Sequence, residues 1–525
     1  MGCGTVSERL DELTSWDANW KGLRVVVAGL GLSGFSAADT LIELGALVTV
    51  VDGREDAVNV QRADTLKIVG AQQVLLGAEH VTGLPQVDGQ QPELVIASPG
   101  WNPRHPVLAE AAEAGIPIWG DVELAWRVQT RAGRPAPKWL AVTGTNGKTT
   151  TVGMTESILL AAGKKAIAVG NVGTPILDAV RDPQGFEVLV VELSSFQLHF
   201  THSISPLASV VLNLAEDHVD WHGSFEAYKA DKAKIYARTQ IAAIFNVEQE
   251  ETITMVENAE VIEGCRAIGF TTNTPAVSMV GIVEGLLVDR AFIEERHSSA
   301  VELVALEQIG EIVPRHTAAN AAAAAALARA YGVPAEAVAR GLGGFDAGAH
   351  RIQAVARRED ILWINDSKAT NPHATDASLS AFTKVVWIAG GVSKGVDYHQ
   401  LVAKHAARLR HVLLIGTDND ALRQALAKHA PAVPVEDITA AATAADGTLP
   451  AGPAVMTRAV RRAHTLATAG DTVLMAPAAA SIDQFTSYAQ RGNAFISAVS
   501  DLMEHDPLTT DPAAPDPADE SGEGN

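Results

Sequence analysis

A glycine-rich turn between a strand-like run and a helix-like run is the feature that most constrains the fold. Residues 138–143 form an apolar run typical of a buried strand, and residues 151–162 predict a helix that ends before Gly163. Between them lie Gly144, Thr145, Asn146, Gly147, Lys148, Thr149 and Thr150. The N–H groups of such a turn and of the following helix form a nest for phosphate. We predict nucleotide binding, with Lys148 on the terminal phosphates and the Thr149 hydroxyl on magnesium.

This turn departs from the common nucleotide-binding loop at one position. The common loop has another glycine five residues before its last glycine, and Val142 stands there in this chain. We therefore predict a tighter variant of the loop. The alternative is an ordinary strand-to-helix turn, but the long motif in this context favours nucleotide binding.

A second glycine turn, at residues 29–34, leaves three interpretations open. Gly29, Gly31 and Gly34 follow a β-branched run, and Asp52 ends the next one, as in dinucleotide-binding domains. The turn could hold a nicotinamide cofactor or another diphosphate, or the glycines could only permit close packing of helix on sheet. The triphosphate-type turn downstream disfavours the nicotinamide, because a dehydrogenase has no use for it.

Acids, histidines and lysines follow several predicted strands, where open α/β sheets bind their ligands. Glu192 ends a buried run, where an unpaired carboxylate is costly, so it is either salt-bridged or a metal ligand. Residues 212–223 are dense in acids and histidines, which favours a hard-cation site at least as much as a structural role. Lys368 and Lys394 lie in two further turns, although either lysine alone is more typical of a solvated surface.

The chain divides into three segments, which open near residues 23, 138 and 348. Apolar strand-like runs alternate with helix-like runs in each segment, which predicts an α/β fold with parallel sheets covered by helices. The apolar stretch at 318–330 is mostly alanine and predicts a buried helix. Residues 506–525 are rich in proline and acids without lysine or arginine, which predicts a disordered tail.

The composition excludes several classes of protein. Hydrophobic residues make up 47% of the 525 residues, which excludes a disordered or fibrous chain. A net charge of −22 repels nucleic acid and anionic membranes. The two cysteines, Cys3 and Cys265, form no disulfide framework and no CxxC zinc site. We expect a cytoplasmic protein with no signal peptide and no membrane insertion.

In their order along the chain, these motifs resemble those of the Mur ligases, the ATP-dependent amide ligases of peptidoglycan precursor synthesis. The resemblance covers residues from about 20 to 500. It rests on the motifs at 144–149, 192–195, 217–218, 230–236, 316–320, 350–351, 365–371 and 481–485. The last two motifs are most similar to the branch that adds D-glutamate to UDP-N-acetylmuramoyl-L-alanine. The Asp-Asn-Pro-Arg signature of the branch that adds a diamino acid is absent from the sequence.

The resemblance implies three domains and a tail. Residues 1–122 would be a Rossmann-like UDP-binding domain, and residues 123–347 a central P-loop-type ATP-binding domain. Residues 348–505 would be a C-terminal Rossmann-like domain that binds the amino acid, and the tail would follow at 506–525. In this family the first glycine turn holds the diphosphate of the UDP-sugar, so no nicotinamide is implied.

The resemblance also implies roles at the ATP and metal sites. ATP would contact Gly144, Thr145, Asn146, Gly147, Lys148, Thr149, Thr150, Asn320, Arg351 and Asp366, with His316 close by. Two Mg²⁺ ions would be held by Thr149, Glu192, His218 and Lys232, the last as a carbamate. Catalysis would depend on Lys148, Lys232, His218, Lys368 and Arg351.

The two other substrates would bind through further residues. The UDP-sugar would contact Leu30, Ser33, Asp52, Gly53, Arg54, Ser98, Gly100, Asn171 and His218. D-Glutamate would contact Lys368, Thr370, Lys394, Ser481, Ile482 and Tyr488. Ala476 and Ala479 stand where relatives more often show Ser and Cys, which changes details of the D-glutamate pocket. We expect a monomeric enzyme.

Three rival functions fit parts of the sequence. An enzyme like folylpolyglutamate synthase would extend a glutamate chain, but such enzymes begin near the phosphate turn and have no UDP-binding first domain. A nicotinamide-dependent oxidoreductase would bind NADH through residues 29–34. A non-catalytic protein would bind ATP and release no phosphate with any acceptor.

Overall fold

The computed structural model describes residues 6–310, 313–346, 351–393, 395–442 and 451–505. The chain forms two compact units, residues 1–347 and 348–525, which are described separately. Lys394 and the predicted acidic tail lie outside the described residues. Within the described ranges, no helix is long and apolar enough to cross a membrane.

The first unit begins with a five-stranded parallel sheet. Its strands are β1 (Arg24–Ala28), β2 (Leu47–Asp52), β3 (Gln73–Leu76), β4 (Leu94–Ala97) and β5 (Ile118–Gly120), and its helices are α1 (Val6–Glu12), α2 (Leu32–Glu43), α3 (Ala57–Val69), α4 (Pro106–Glu113) and α5 (Asp121–Val128). The strand order is β3-β2-β1-β4-β5. Because this order reverses between β1 and β4, the turns after these two strands open a crevice.

The same unit continues into a nine-stranded sheet. Its strands are β6 (Lys138–Thr143), β7 (Ala166–Gly170), β8 (Val188–Glu192), β9 (Ala208–Val211), β10 (Ala242–Asn246), β11 (Arg266–Phe270), β12 (Met279–Val283), β13 (Leu286–Asp289) and β14 (Val301–Ala305). They run in the order β14-β13-β12-β11-β10-β9-β6-β8-β7. Strand β6 lies between β8 and β9, so the turns that follow these three parallel strands are neighbours.

Nine helices belong to this part of the first unit within the described ranges. They are α6 (Lys148–Ala161), α7 (Ile176–Arg181), α8 (Ser195–His199), α9 (Val219–His222), α10 (Phe225–Ala233), α11 (Glu250–Glu257), α12 (Leu306–Ile309), α13 (Arg315–Tyr331) and α14 (Ala335–Gly343). Seven alanines of α13, at 321–326 and 328, are fully buried in the core beside α6 and the sheet. Their small side chains let this helix approach its neighbours closely, which confirms the prediction of a buried helix at 318–330.

Polar contacts join the two sheets of the first unit. Arg181 of α7 pairs with Asp39 at 2.5 Å and with Glu43 at 2.8 Å, both on α2. Ser36 of α2 donates to Asp178 at 2.5 Å. The helix that follows the first glycine turn is therefore fixed against the part that carries the second.

The second unit is built on a six-stranded sheet. Its strands are β15 (Gln353–Arg358), β16 (Ile361–Asn365), β17 (Val385–Ala389), β18 (Leu409–Leu414), β19 (Val435–Asp437) and β20 (Thr472–Met475), and its helices are α15 (Pro372–Ser380), α16 (His399–His405), α17 (Asp420–His429), α18 (Ile438–Ala442), α19 (Gly452–Leu466) and α20 (Tyr488–His505). The order is β15-β16-β20-β17-β18-β19. The turns after β16, β20 and β17 therefore meet at one edge.

The α/β prediction is confirmed, with two corrections of detail. The sheets are not wholly parallel, since β13, β14 and β15 pair antiparallel at sheet edges. The helix after the phosphate turn begins at Lys148 rather than residue 151, because Gly147 adopts φ +85° and serves as its N-cap. Lys148 and Thr149 therefore lie in the first helical turn.

Candidate active site

The phosphate turn needs its two glycines. Gly144 has φ +157° and Gly147 has φ +85°, in the region that favours glycine. A Cβ on Gly147 would lie 2.5 Å from Oδ1 of Asn320, and one on Gly144 would lie 3.0 Å from Cβ of Leu212. The turn is thus pressed against α13 and against the end of β9. Asn320, predicted to face the nucleotide, is one of the groups it touches.

Asn213 holds the turn in shape, although none of the sequence motifs predicted a role for it. Its Oδ1 accepts from the Asn146 N–H at 2.9 Å, and its Nδ2 donates to the Asn146 carbonyl at 3.0 Å. Thr145 N–H donates to the Asn213 carbonyl at 2.9 Å. The clue in the sequence was an asparagine directly after an apolar strand, but its partner lies 67 residues away.

Lys148 folds back over the turn. Its Nζ donates to the carbonyls of Gly144 at 2.9 Å and Thr145 at 3.0 Å. The ammonium group is therefore held at the turn by its own backbone, next to the N terminus of α6. A phosphate at this point meets a positive charge and the helix N–H groups together.

Lys232 is buried beside the same turn. Only 2% of it is exposed, and its Nζ donates to the Gly144 carbonyl at 3.0 Å and to Oγ1 of Thr143 at 3.3 Å. Burial, and then the charge of Lys148, hold the pKa of this amine well below its usual range, against the opposing charges of Asp217 and Glu192. Because burial disfavours the ammonium form, the environment favours an uncharged, nucleophilic amine.

Tyr228 links Lys232 to the phosphate turn. Its hydroxyl lies 2.9 Å from Oγ1 of Thr145, and its ring centre lies 4.9 Å from Nζ of Lys232. Burial raises the pKa of the phenol far above neutrality, so it stays protonated. The sequence contained no local signal for this role, since tyrosine on a helix is more often a core residue.

Glu192 is the last residue of β8, and His218 directly precedes α9. Glu192 is buried at the end of β8, where Oε1 accepts from Nδ2 of Asn171 at 2.9 Å. His218 has φ +52° and a half-exposed ring, 4.7 Å from the ring of Phe196. Across the described ranges, no three His, Cys, Asp or Glu residues are close enough to hold a metal alone.

The donor set still fits magnesium. Mg²⁺ is usually bound by one or two carboxylates together with substrate phosphates and water, not by an all-protein cage. Glu192 offers such a carboxylate, and Thr149 places a hydroxyl in the first turn of α6. Lys232 is close enough to Glu192 for their charges to interact.

The first glycine turn lines the crevice between β1 and β4. A Cβ on Gly34 would overlap the carbonyl oxygen of Gly29, so these two positions require close backbone approach. Ser98 Oγ donates to the Gly29 carbonyl at 3.2 Å. The carboxylate of Asp52 accepts from the Leu30 N–H at 2.7 Å. Gly31, the N-cap of α2, offers no side-chain acceptor to the first N–H groups of the helix. These N–H groups are therefore available to a ligand in the crevice.

The other predicted UDP-sugar residues border this crevice or the adjoining sheet. Gly53 and Arg54 follow β2, with Arg54 N–H donating to Asp52 at 2.9 Å. Gly100 follows β4, and its carbonyl accepts from the indole of Trp221 at 3.3 Å. The predicted set thus occupies connected parts of the first unit, namely Leu30, Ser33, Asp52, Gly53, Arg54, Ser98, Gly100, Asn171 and His218.

Asp121 is a buried acid beneath this turn that we did not predict. It hydrogen-bonds Ser33, and its Oδ2 accepts from Nε2 of Gln197 at 3.3 Å. Burial raises its pKa to about 6, against those hydrogen bonds. Asp121 thereby connects the first glycine turn to α8, the helix that begins three residues after Glu192.

In the second unit, Asp366 and Lys368 follow β16. Asp366 is buried, accepts from Ser378 and from the Ile352 N–H, and has its pKa raised to about 6 by burial, against those bonds and the charge of Arg351. Nζ of Lys368 lies 5.2 Å from the ring centre of Tyr488.

Arg491, another residue without a predicted role, joins the turns of this unit. It is 1% exposed, and its guanidinium donates to the carbonyls of Ser367 at 3.0 Å and Ala479 at 3.1 Å. Burial lowers its pKa to about 10, against the charge of Asp483. Ser367 precedes Lys368, and Ala479 lies two residues before Ser481.

The predicted D-glutamate residues are brought to one edge of this sheet only in part. Lys368 and Thr370 follow β16, Ser481 and Ile482 follow β20, and Tyr488 begins α20. Ser481 is buried, whereas Ile482 is 68% exposed. Lys394 lies outside the described residues. Their roles toward the ligand stay predictions.

Three family models match successive parts of the chain. The Mur ligase MurD-like N-terminal domain matches residues 23–120, the Mur ligase middle domain 142–328, and the Mur ligase glutamate ligase domain 350–479. The UDP-N-acetylmuramoylalanine--D-glutamate ligase of Leifsonia xyli is 51% identical over 508 residues, covering 94% of this chain and 96% of the relative. The chain belongs to the Mur ligase family. A ligase of the same name from Streptomyces avermitilis is 52% identical, with 92% and 99% covered.

Two solved structures share the fold of this Mur ligase. MurF from Acinetobacter baumannii matches with a TM-score of 0.53 at 17% identity, covering 87% of this chain and 90% of that chain. A pseudomurein peptide ligase type C from Methanothermus fervidus matches with a TM-score of 0.52 at 17% identity, covering 92% and 99%. At these identities the two structures inform the fold alone.

Proposed function

We propose that this Mur ligase joins D-glutamate to UDP-N-acetylmuramoyl-L-alanine at the expense of ATP, in peptidoglycan precursor synthesis in the cytoplasm. The observation that carries the proposal is the match, at about half identity and almost end to end, to relatives named as this ligase. The phosphate turn and the crevice at the first glycine turn supply the places that two of the substrates need.

The reaction proceeds in two displacements. The L-alanyl carboxylate attacks the γ-phosphorus of ATP, ADP leaves, and an acyl phosphate forms. The D-glutamate amine then attacks the acyl carbon, the tetrahedral intermediate expels phosphate, and the nitrogen loses a proton to give the amide. Bound Mg²⁺ would neutralise the anions that crowd together in the first displacement.

The chain's own groups hold these anions in place. Lys148 and the N terminus of α6 face the phosphates, and Thr149 and Glu192 would hold the metal. The crevice between β1 and β4 would hold the UDP diphosphate on the N terminus of α2. The second unit would contribute Arg351 and Asp366 to the nucleotide and Lys368, Thr370, Lys394, Ser481, Ile482 and Tyr488 to D-glutamate.

Lys232 enters this proposal as a carbamate. Its uncharged amine would attack the carbon of CO₂ and release one proton, so that a neutral group near Glu192 becomes an anionic carbamate. An anion there would organise the metal ions, whereas an ammonium would repel them. The support is the burial of Lys232 and the direction of its pKa.

Phosphate release with UDP-N-acetylmuramoyl-L-alanine and ATP tests the function. D-Glutamate, L-glutamate and a diamino acid are offered in parallel, and release with D-glutamate alone is expected. Release with the diamino acid would assign the chain to another branch. No release with any amino acid would favour a non-catalytic nucleotide-binding protein, and a change in NADH fluorescence on titration would favour an oxidoreductase.

Lys232→Ala tests the carbamate. Turnover should nearly vanish and should return in part with millimolar acetate or bicarbonate. The control is Lys229→Ala on the same helix, since Lys229 pairs with Glu226 at 2.7 Å instead of facing the turn. Wild-type turnover in Lys232→Ala would refute the role, and ¹³C NMR with labelled bicarbonate would detect the carbamate carbon directly.

A further inference from the structure

A chain of buried hydrogen bonds lies behind the metal-site residues. Nδ1 of His222 lies 2.9 Å from Oδ2 of Asp231, and its Nε2 lies 3.0 Å from Oγ of Ser195. The His222 side chain has no exposed surface, and Ser195 is 2% exposed. Three helices are therefore joined through one imidazole ring, since these residues belong to α9, α10 and α8.

The hydrogen bonds define the protonation of the ring. The Asp231 carboxylate can only accept, so Nδ1 carries the proton and the lone pair of Nε2 accepts from the Ser195 hydroxyl. Burial lowers the pKa of His222 against the charge of Asp231, in agreement with a neutral ring. Asp231 is further fixed by His199 at 2.8 Å and by Lys234 at 2.8 Å.

The order Ser-His-Asp is that of hydrolase triads, but the arrangement here suits a structural linkage. A hydrolytic serine must reach its substrate, and Ser195 is almost wholly buried. The ring of His222 is also enclosed, 5.6 Å from the ring centre of Phe196 and 5.4 Å from that of Tyr228.

Each member of the linkage is next to a group predicted to organise the metal. Ser195 lies three residues after Glu192, and Asp231 directly precedes Lys232. The His222 N–H donates to the carbonyl of His218 at 3.1 Å, so His222 closes the helical turn that His218 begins. The linkage therefore determines how three separate segments are spaced.

We propose that His222 is a positioning residue that, through Ser195 and Asp231, sets the spacing of Glu192, His218 and Lys232 and thereby the affinity for Mg²⁺. The inference rests on the proposed function. The His222 side chain has no exposed surface through which it could contact a substrate. Loss of the His222 side chain should change the Mg²⁺ dependence of the reaction more than the affinity for D-glutamate. The residues predicted to bind D-glutamate lie in the second unit.

Three variants of His222 remove one or both hydrogen bonds of the linkage. His222→Asn retains a group near Nδ1 for Asp231, His222→Gln retains one near Nε2 for Ser195, and His222→Leu retains neither while keeping an apolar volume against Phe196. His199→Leu is the control, because His199 also hydrogen-bonds Asp231 but meets α9 through a ring contact with Trp221 instead of a hydrogen bond. Phosphate release is measured against Mg²⁺ and against D-glutamate, with thermal melting of each protein.

The expected result is graded. The half-saturating Mg²⁺ concentration should rise about tenfold or more in His222→Leu and by less in the Asn and Gln variants, with KM for D-glutamate within about twofold of wild type. His199→Leu should keep the wild-type Mg²⁺ dependence. If His222→Leu fails to fold, the Asn and Gln variants decide the question in the same way.

Two results would overturn the proposal. One is wild-type Mg²⁺ dependence in the folded His222 variants, and the other is an equal rise in His199→Leu, which would indicate general packing. An inactive wild-type protein would instead refute the proposed function. That outcome is distinguishable because the wild type is assayed first.

Discussion

Within the first unit, Glu123 joins the part that carries the five-stranded sheet to the part that carries the nine-stranded sheet. Its removal should destabilise the first unit strongly. Its side chain has no exposed surface and accepts from the N–H groups of His202 at 2.8 Å and Ser203 at 2.9 Å. It also accepts from the Ser203 hydroxyl at 2.5 Å and from Nε of Arg127 at 2.8 Å. Glu123→Ala removes the acceptor that these four partly buried donor groups share.

The magnitude follows from the burial. Breaking a buried ion pair by removing one partner costs about 3–5 kcal/mol, because the remaining charge and N–H groups lose their partner. The first unit has 347 residues, which corresponds to an unfolding entropy of about 0.7 kcal/mol/K. The melting temperature of this unit should therefore fall by about 4–7 °C.

Thermal melting at several pH values tests this reasoning. Burial alone would raise the pKa of Glu123, but the hydrogen bonds from Ser203, His202 and Arg127 outweigh it and lower the pKa. The stabilisation is therefore complete above the unfolded pKa of about 4.3 and is lost as the pH falls through the lower folded value. The difference between the wild type and Glu123→Gln should shrink in that acidic range.

The control is an exposed pair on α3. Lys67 lies 3.2 Å from Asp64, and both side chains are more than half exposed. Asp64→Ala should cost at most about 0.5 kcal/mol, which is below 1 °C. A melting temperature of Glu123→Ala equal to that of Asp64→Ala would refute the argument from burial.

Three further predictions concern the buried acid, the first glycine turn and the second unit. Because the folded pKa of Asp121 is raised from 3.8 to about 6, the folded state loses up to about 3 kcal/mol as the pH rises through that window. Asp121→Asn should thus raise the melting temperature at pH 7.5 but not below pH 4. Gly34→Ala should abolish UDP binding in equilibrium dialysis, whereas Gly31→Ala, where a Cβ meets open space, should retain it. Arg491→Lys, which cannot reach both the Ser367 and Ala479 carbonyls, should raise KM for D-glutamate about tenfold and leave UDP binding unchanged.

Local patterns in the sequence were sufficient for the strands and for the phosphate turn. The apolar run at 138–143 predicted β6 with its observed bounds, because a strand buried on both faces of a sheet reads as a continuous apolar run. The glycines of the phosphate turn were recognisable because their spacing reflects positive φ angles at fixed positions. These features depend on near neighbours in the chain.

Other features depend on partners far away in the chain. Asn213, Asp121 and Arg491 have their roles because distant segments meet them in the fold, and no local pattern reveals those distant partners. The antiparallel edge at β13 and β14 was missed for a related reason, since short apolar runs do not indicate the direction of pairing. A single sequence therefore located the turns that bind ligands but not the residues that support them.

The carbonyl of Gly144 accepts hydrogen bonds from both Lys148 and Lys232. A bound phosphate would draw Lys148 away from this oxygen, and carbamate formation would change the hydrogen bond that Lys232 donates to it. Nucleotide binding and the modification of Lys232 are therefore coupled through one carbonyl group. By thermodynamic linkage, whatever factor the carbamate applies to nucleotide affinity, the nucleotide must apply to the affinity of Lys232 for CO₂. Dissolved CO₂ would then be an effector of ATP binding, and the apparent Kd for ATP should depend on the bicarbonate concentration of the buffer.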